Sequence, residues 1–327
     1  MRRPGHLGRL LRVAFLALAV VLLAVALREN GAEGREALRS VGPASVLGSG
    51  FAVLVGLLAS ALVWRALLAD LGTRLPARAA LHVFFLGQLG KYIPGSVFAV
   101  AAQMELGRDH GAPRSRVGTA GVLFLGVLVA CGLLTASVVL PLTSPRALEQ
   151  YGWVLLLLPA GLVALAPPVL TRIVRLLLRV LRRAPLERPL SARGVGAAVG
   201  WGLVMWAAYG LHLWLLVRPQ GDSTATSAGR ELLLATGAYA LAWTAGLLFV
   251  VAPAGAGVRE VALVAALAPV LDRPAALAVA VLSRVLMTLG DLVWAGAAVL
   301  LRPDVPGNAP ARSTLADVQQ QGRAADV

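Results

Sequence analysis

The apolar residues of this chain arrive in blocks of about 20, the length that crosses ~30 Å of hydrocarbon at ~1.5 Å per residue. They fall near 13–27, 46–68, 79–104, 117–140, 153–171, 195–217, 232–251, 257–270 and 276–301. Such repetition excludes a soluble globular fold, as does an apolar content of 58% in 327 residues, against roughly 45–50% in soluble domains. The chain reads as an all-α polytopic membrane protein. A net charge of +14 would suggest nucleic acid in a soluble protein, but the arginines here lie between apolar blocks, where cytoplasmic loops keep their cations. Nucleic acid is therefore not an expected partner. Cys131 is the one cysteine, which excludes an intrachain disulfide, a CxxC pair and a cysteine metal cage.

Two blocks are interrupted. Gly90-Lys91-Tyr92-Ile93-Pro94-Gly95 divides the third, and Pro253-Ala254-Gly255-Ala256-Gly257 precedes the eighth, which is too short to span. Proline removes a backbone donor and glycine frees the chain, so each pair is expected to form two half-helices joined at a break. Irregular backbone at membrane depth is tolerated only where protein or a water-filled cavity satisfies it.

Arginine distribution sets the expected orientation. Arg2, Arg3, Arg9 and Arg12 crowd the start, and seven arginines lie between Arg172 and Arg193, so both stretches are expected in the cytoplasm. The first apolar block is read as an uncleaved span, although a basic start and small residues at Ala24 and Ala26 also resemble a signal peptide. A straight span at 79–104 would place Arg108, Arg114 and Arg116 outside. A re-entrant hairpin with halves 79–90 and 96–107 returns them to the cytoplasm. The same order recurs in 153–301, and three crossings per half make the second half inverted. The expected architecture is two inverted repeats, 1–140 and 153–302, with about six full spans and two re-entrant broken-helix hairpins. Alternating-access transporters share that architecture and bind substrate at the repeat interface. Residues 303–327 are expected to be a disordered cytoplasmic tail, and both termini cytoplasmic in a bacterial inner membrane.

Lys91 is the only lysine beside 29 arginines. Its place in GKYIPG, with Tyr92 next to it, suits a compact charge at a helix break where phosphate can bind; a lysine snorkelling to headgroups is the plainer reading. Pro94 and Gly95 open one half-helix, and Gly255 and Gly257 open its counterpart. Two helix N-termini directed into the membrane from opposite sides offer free N–H groups to an anion. Arg259 and Glu260 follow in the first turn, while Arg284 and Asp291 lie seven residues apart on one face of the last span. Charges at that depth cost about 2.5–3.5 kcal/mol on insertion scales and pair or face a pathway. A structural ion-pair network holding the hairpin to 276–301 competes with substrate contact, and the two can coexist. Gln103 and Glu105 are weaker candidates for the cavity wall, with Glu105 equally suited to a cytoplasmic rim. The tryptophans suit helix packing or an interfacial belt. His82 and His212 lack partners at metal-ligand spacing, so neither metal nor cofactor is expected. No Walker A, GxSxG, HExxH or paired-carboxylate motif is present, which argues against an enzyme.

The GKYIPG and PAGAGVRE stretches, followed by Ser283-Arg284, resemble the lysylphosphatidylglycerol synthase transmembrane-region family, also called flippase-like proteins, over nearly all of the membrane portion. The resemblance carries over Gly255, Gly257, Arg259, Glu260 and Arg284 directly. It departs at Gln103, where members often have arginine, and in 117–140, whose polar residues are only Thr119, Thr135 and Ser137. The resemblance implies movement of polar lipids between leaflets. Nothing after 302 is long enough to fold as the soluble aminoacyl-transferase domain of the synthases, so no synthase activity is expected.

The leading expectation is a lipid translocator that takes an anionic phospholipid or polyprenyl-phosphate-linked lipid into a cavity between the halves, with Glu260 and Asp291 as candidates for proton coupling. The alternative is a membrane-embedded transferase, or an accessory subunit for a lipid-modifying enzyme or glycosyltransferase, with Asp291 or Glu260 as a base.

Overall fold

The computed structural model describes residues 39–92, 97–143, 149, 155–180, 186, 188–219, 227–249 and 255–300. Among the described residues there is no strand, and the chain forms ten α-helices with two short 3-10 turns. In chain order they are α1 (Pro43–Asp70), α2 (Ala77–Gln88) continued by the 3-10 turn Leu89–Tyr92, α3 (Val97–Arg108) and α4 (Arg114–Val139), with the turn Pro141–Thr143 after it. Next come α5 (Leu157–Leu165), α6 (Pro167–Val180), α7 (Ala192–Val217), α8 (Ala228–Leu248), α9 (Val258–Leu267) and α10 (Arg273–Leu300).

The stretches Pro43–Asp70, Arg114–Thr143, Ala192–Val217, Ala228–Leu248 and Arg273–Leu300 are each long and apolar enough to cross a membrane. They contain the expected spans 46–68, 117–140 and 195–217 and most of 232–251 and 276–301. The expected span at 13–27 and the expected tail lie outside the described residues. The block at 153–171 departs from a single straight span, because Leu158–Leu165 and Pro167–Val180 are bent by 73°. Proline explains the bend: Ala166 takes the extended conformation (φ −61°, ψ 132°) that a residue before proline prefers, and Pro167 cannot donate back into the preceding turn.

The two hairpins differ in length. Both arms of the first, α2 and α3, have 12 residues, about 18 Å of helix, too short to cross. The second joins the 21-residue α8 to the 10-residue α9, so its first arm is long enough to span by itself.

The most extensive helix contact is α1 with α7. Small residues allow it: the Tyr209 ring lies where a Cβ at Gly56 would be, 2.3 Å from its Cε1, and Ala52 and Ser60 continue the same face at four-residue spacing. Around this pair, several helix contacts in the first half have a counterpart in the second, while those of α5 with α4 and α6 have none among the described residues. α2 packs on α3 as α8 on α9, α3 on α4 as α9 on α10, α2 on α10 as α8 on α4, and α1 on α10 as α7 on α4. Aromatic rings lock these layers together. Trp64, Phe84 and Phe85 are fully buried, Phe84 meets Phe124 edge-on at 5.4 Å, and Phe85 stacks on Trp294 at 4.8 Å. The outer faces expose Phe51, Leu156, Val261 and Leu300, side chains that hydrocarbon rather than water accommodates.

Candidate functional site

The first hairpin closes backbone to backbone. A Cβ on Gly90 would stand 2.7 Å from the Phe98 carbonyl and the Ala99 nitrogen, so no side chain fits between the turn Leu89–Tyr92 and α3. The second hairpin uses the same device at Gly255. Its φ is +70°, and a Cβ there would lie 2.8 Å from the backbone of Gly246 on α8.

Gly257 (φ +86°) then starts α9, and its N–H donates to Glu260 Oε2 at 2.7 Å. This is half of a capping box, since glycine has no side chain to return the bond. The cap fixes the first turn and turns Arg259 inward, where it is buried with 9% exposure. Its guanidinium donates to the Tyr239 hydroxyl and sits 4.7 Å from that ring's centroid, a cation–π contact.

α10 runs past both hairpins and is tied to each by one ion pair. Arg284 Nη1 lies 3.3 Å from Glu260 Oε1 on α9. Asp291, two turns later on the same face, accepts from Lys91 Nζ at 2.6 Å and from the Tyr92 hydroxyl at 2.5 Å, both on Oδ2. The four charges on α9 and α10 are thus not one network: Asp291 belongs to the first hairpin.

Between the hairpins is a cavity of about 1200 Å³, counting its open mouth. The first half supplies Lys91, Tyr92 and Gln103 to its wall, and the second supplies Gly255, Arg259, Arg284 and Asp291. The first turns of both short arms border it as well, through Ala99 and Val100 of α3 and Arg259 of α9. Glu260 and Gly257 are not among the residues that line it. Pro94 and Gly95 lie outside the described residues. Apolar side chains, among them Leu57, Phe124, Leu128, Met205 and Trp243, complete the lining. Gln103 is 2% exposed, and its Oε1 has no hydrogen-bond partner among the described residues; the amide can present either atom by flipping.

Three cations face this space, and two have a carboxylate. Among the described residues Arg259 has none. Removing one partner of a buried ion pair typically costs 3–5 kcal/mol because a charge is left uncompensated. A guanidinium offers a planar fork of donors that matches phosphate or carboxylate, so Arg259 can hold an anion that enters the cavity.

Glu105 falls at the exposed edge instead, paired with Arg114 at 2.5 and 2.6 Å and with Arg108 at 3.8 Å. The Arg114 hydrogen bond holds its carboxyl below the usual carboxylate range. His82, buried, donates from Nδ1 to the Ala298 carbonyl at 2.9 Å. Trp64 and Trp206 are core residues, whereas Trp243 reaches the cavity wall.

Sequence reasoning missed a cluster of buried polar groups. His212, treated above as isolated, is fully buried and bridges three helices: Nδ1 is 2.6 Å from Ser49 Oγ on α1, and Nε2 is 2.9 Å from Ser283 Oγ on α10. Its ring meets Tyr239 edge-on at 5.6 Å, next to Arg259. The available signal was Met205, Tyr209 and His212 at helical spacing on one face of α7. Nothing local marks Tyr239.

Fold and site together define a multi-pass α-helical membrane protein with an ionised cavity between two broken hairpins. Comparison with family models is more particular: the one described as lysylphosphatidylglycerol synthase TM region matches residues 9–295, and the chain belongs to that family. Comparison with curated proteins gave no match.

Proposed function

We propose that this protein moves an anionic polar lipid, a phospholipid or a polyprenyl-phosphate-linked intermediate, between the leaflets of a bacterial inner membrane. The observation that carries the reading is Arg259, buried in the cavity wall with no carboxylate partner among the described residues. An anionic headgroup would supply its counter-charge, with Lys91, Arg284 and the Gln103 amide replacing headgroup water, while the tails stay in the bilayer. Family membership supports a lipid-related role. The exchangeable helix contacts of the two halves support a repeat, which in the inverted form favours rocking that opens the cavity to each side in turn. In this reading the protein is not an enzyme. Both termini are cytoplasmic, and a lipid-modifying enzyme or glycosyltransferase is the partner that supplies or consumes the lipid.

The test is headgroup movement of fluorescent anionic lipids in proteoliposomes, comparing the intact protein with Arg259→Gln and Arg284→Ala variants of equal thermal stability. Acceleration lost in both variants is the expected result. If the intact protein accelerates neither phosphatidylglycerol nor a polyprenyl phosphate, the autonomous translocator reading fails, and the membrane-embedded transferase or accessory role takes its place.

A further inference from the structure

We infer that an anion entering the cavity takes Lys91 away from Asp291, and that Asp291 then takes up a proton from solution, so that each negative charge bound brings one proton with it. This rests on the cavity being an anion site, and it decides between the two carboxylates that could couple to protons.

The two carboxylates are built differently. Glu260 holds Gly257 N–H with one oxygen and Arg284 with the other, and it does not line the cavity, so it is committed to keeping α9 in place. Asp291 lines the cavity, with a side chain only 5% exposed, and Lys91 and Tyr92 both meet its Oδ2. Lys91 is the accessible member of that pair at 29% exposure. Its four-carbon stem carries a compact ammonium that can swing from Asp291 to a ligand without backbone movement.

A headgroup phosphate competes for that ammonium. Once Lys91 turns to it, Asp291 is a buried carboxylate without a counter-ion, a state that neutralisation by a proton relieves. The other charged and titratable groups facing Asp291 do not replace Lys91. Arg284 on its own helix is paired with Glu260, and Arg259 on α9 is turned to Tyr239. Tyr209 on α7 and Tyr239 on α8 are phenols, uncharged at an ordinary pKa of about 10. α1 brings only Leu57 and Ser60 to the wall, α3 brings Gln103, and α4 brings apolar residues. Tyr92 serves both states, since its hydroxyl donates to a carboxylate and accepts from a carboxylic acid.

The charges balance. The empty site holds Lys91⁺, Asp291⁻ and Arg259⁺; the loaded site holds the anion between Lys91⁺ and Arg259⁺ beside neutral Asp291, so anion and proton enter as a pair of zero net charge, the proton having come from water on the side where the anion entered. Release on the other side returns it. Movement of a phosphodiester is then electroneutral and responds to a pH difference across the membrane.

The experiment uses the full chain in detergent and dihexanoyl phosphatidylglycerol, a diester whose own charge stays at one across the range studied. A pH indicator in weak buffer reads proton uptake on binding, and calorimetry reads affinity. The expected result is close to one proton per lipid, with affinity rising about tenfold per unit fall in pH inside the uptake window. Asp291→Asn should bind without uptake and without pH dependence. Tyr92→Phe, which keeps the carboxyl, should keep uptake close to one proton per lipid. Glycerophosphoglycerol, the same diester without tails, forms a second arm: uptake with it equally supports the exchange and makes the ligand a soluble anion. Binding of the lipid to the intact protein without proton uptake overturns this proposal and leaves the anion site standing. Unchanged uptake in a folded Asp291→Asn variant also overturns it. Absence of binding by either probe to the intact protein removes the anion site itself.

Discussion

The two hairpins reach the same cavity with different hardware. In the first, the cation is a lysine on a 3-10 turn, partly exposed and held by a carboxylate from α10. In the second, it is an arginine in a capped helical turn, buried, held by a tyrosine and free of any carboxylate among the described residues. A flexible, paired lysine is suited to release, and a fixed, unpaired arginine is suited to hold. The comparison teaches that like breaks at matching places need not do like work. In the reading proposed above, the second hairpin supplies the seat for an anion, and the first supplies a contact that an anion can exchange.

The largest effect expected is on the second break. Gly255→Val adds a side chain at φ +70° against the Gly246 backbone, and should lower stability by about 3–4 kcal/mol in thermal unfolding. Gly257→Ala meets positive φ but open space, and should cost only about 1–2 kcal/mol. Equal losses would mean that close approach at Gly246 is not what shapes this break. Next, Arg259→Gln should weaken phosphatidylglycerol binding by about 2–3 kcal/mol. Lys91→Gln should cost about 1 kcal/mol, because in the intact protein Lys91 must leave Asp291 to bind. Calorimetry giving the reverse order would exchange the roles assigned to the hairpins. Tyr239→Phe keeps the ring against Arg259 and removes the hydroxyl, for a stability loss of about 1 kcal/mol. The smallest change is Glu260→Gln, which keeps an acceptor for Gly257 N–H but loses the charge opposite Arg284. It should cost about 0.5–1 kcal/mol, and a much larger loss in unfolding would make that pair, rather than the cap, the support of α9.

What the sequence determined by itself is what short-range rules govern. Span length follows from bilayer thickness, so the limits of α1, α4, α7 and α10 were legible within a few residues. Glycine and proline act on their own backbone, so both breaks were legible too, as was the shared face of Arg284 and Asp291, which needs only the helical period. The tertiary structure alone decided the partners. Grouping Arg259, Glu260, Arg284 and Asp291 was natural from their nearness in sequence, yet Asp291 meets Lys91 and Tyr92 from the other half of the chain. His212 found Ser49 and Ser283 because α1, α7 and α10 converge, and Arg259 was left with a phenol. Hydrophobic length and helical period say which residues can be buried. Which charge then stands beside which depends on how helices distant in sequence pack, and small side chains such as Gly56 and the backbone contacts at Gly90 and Gly255 set that packing.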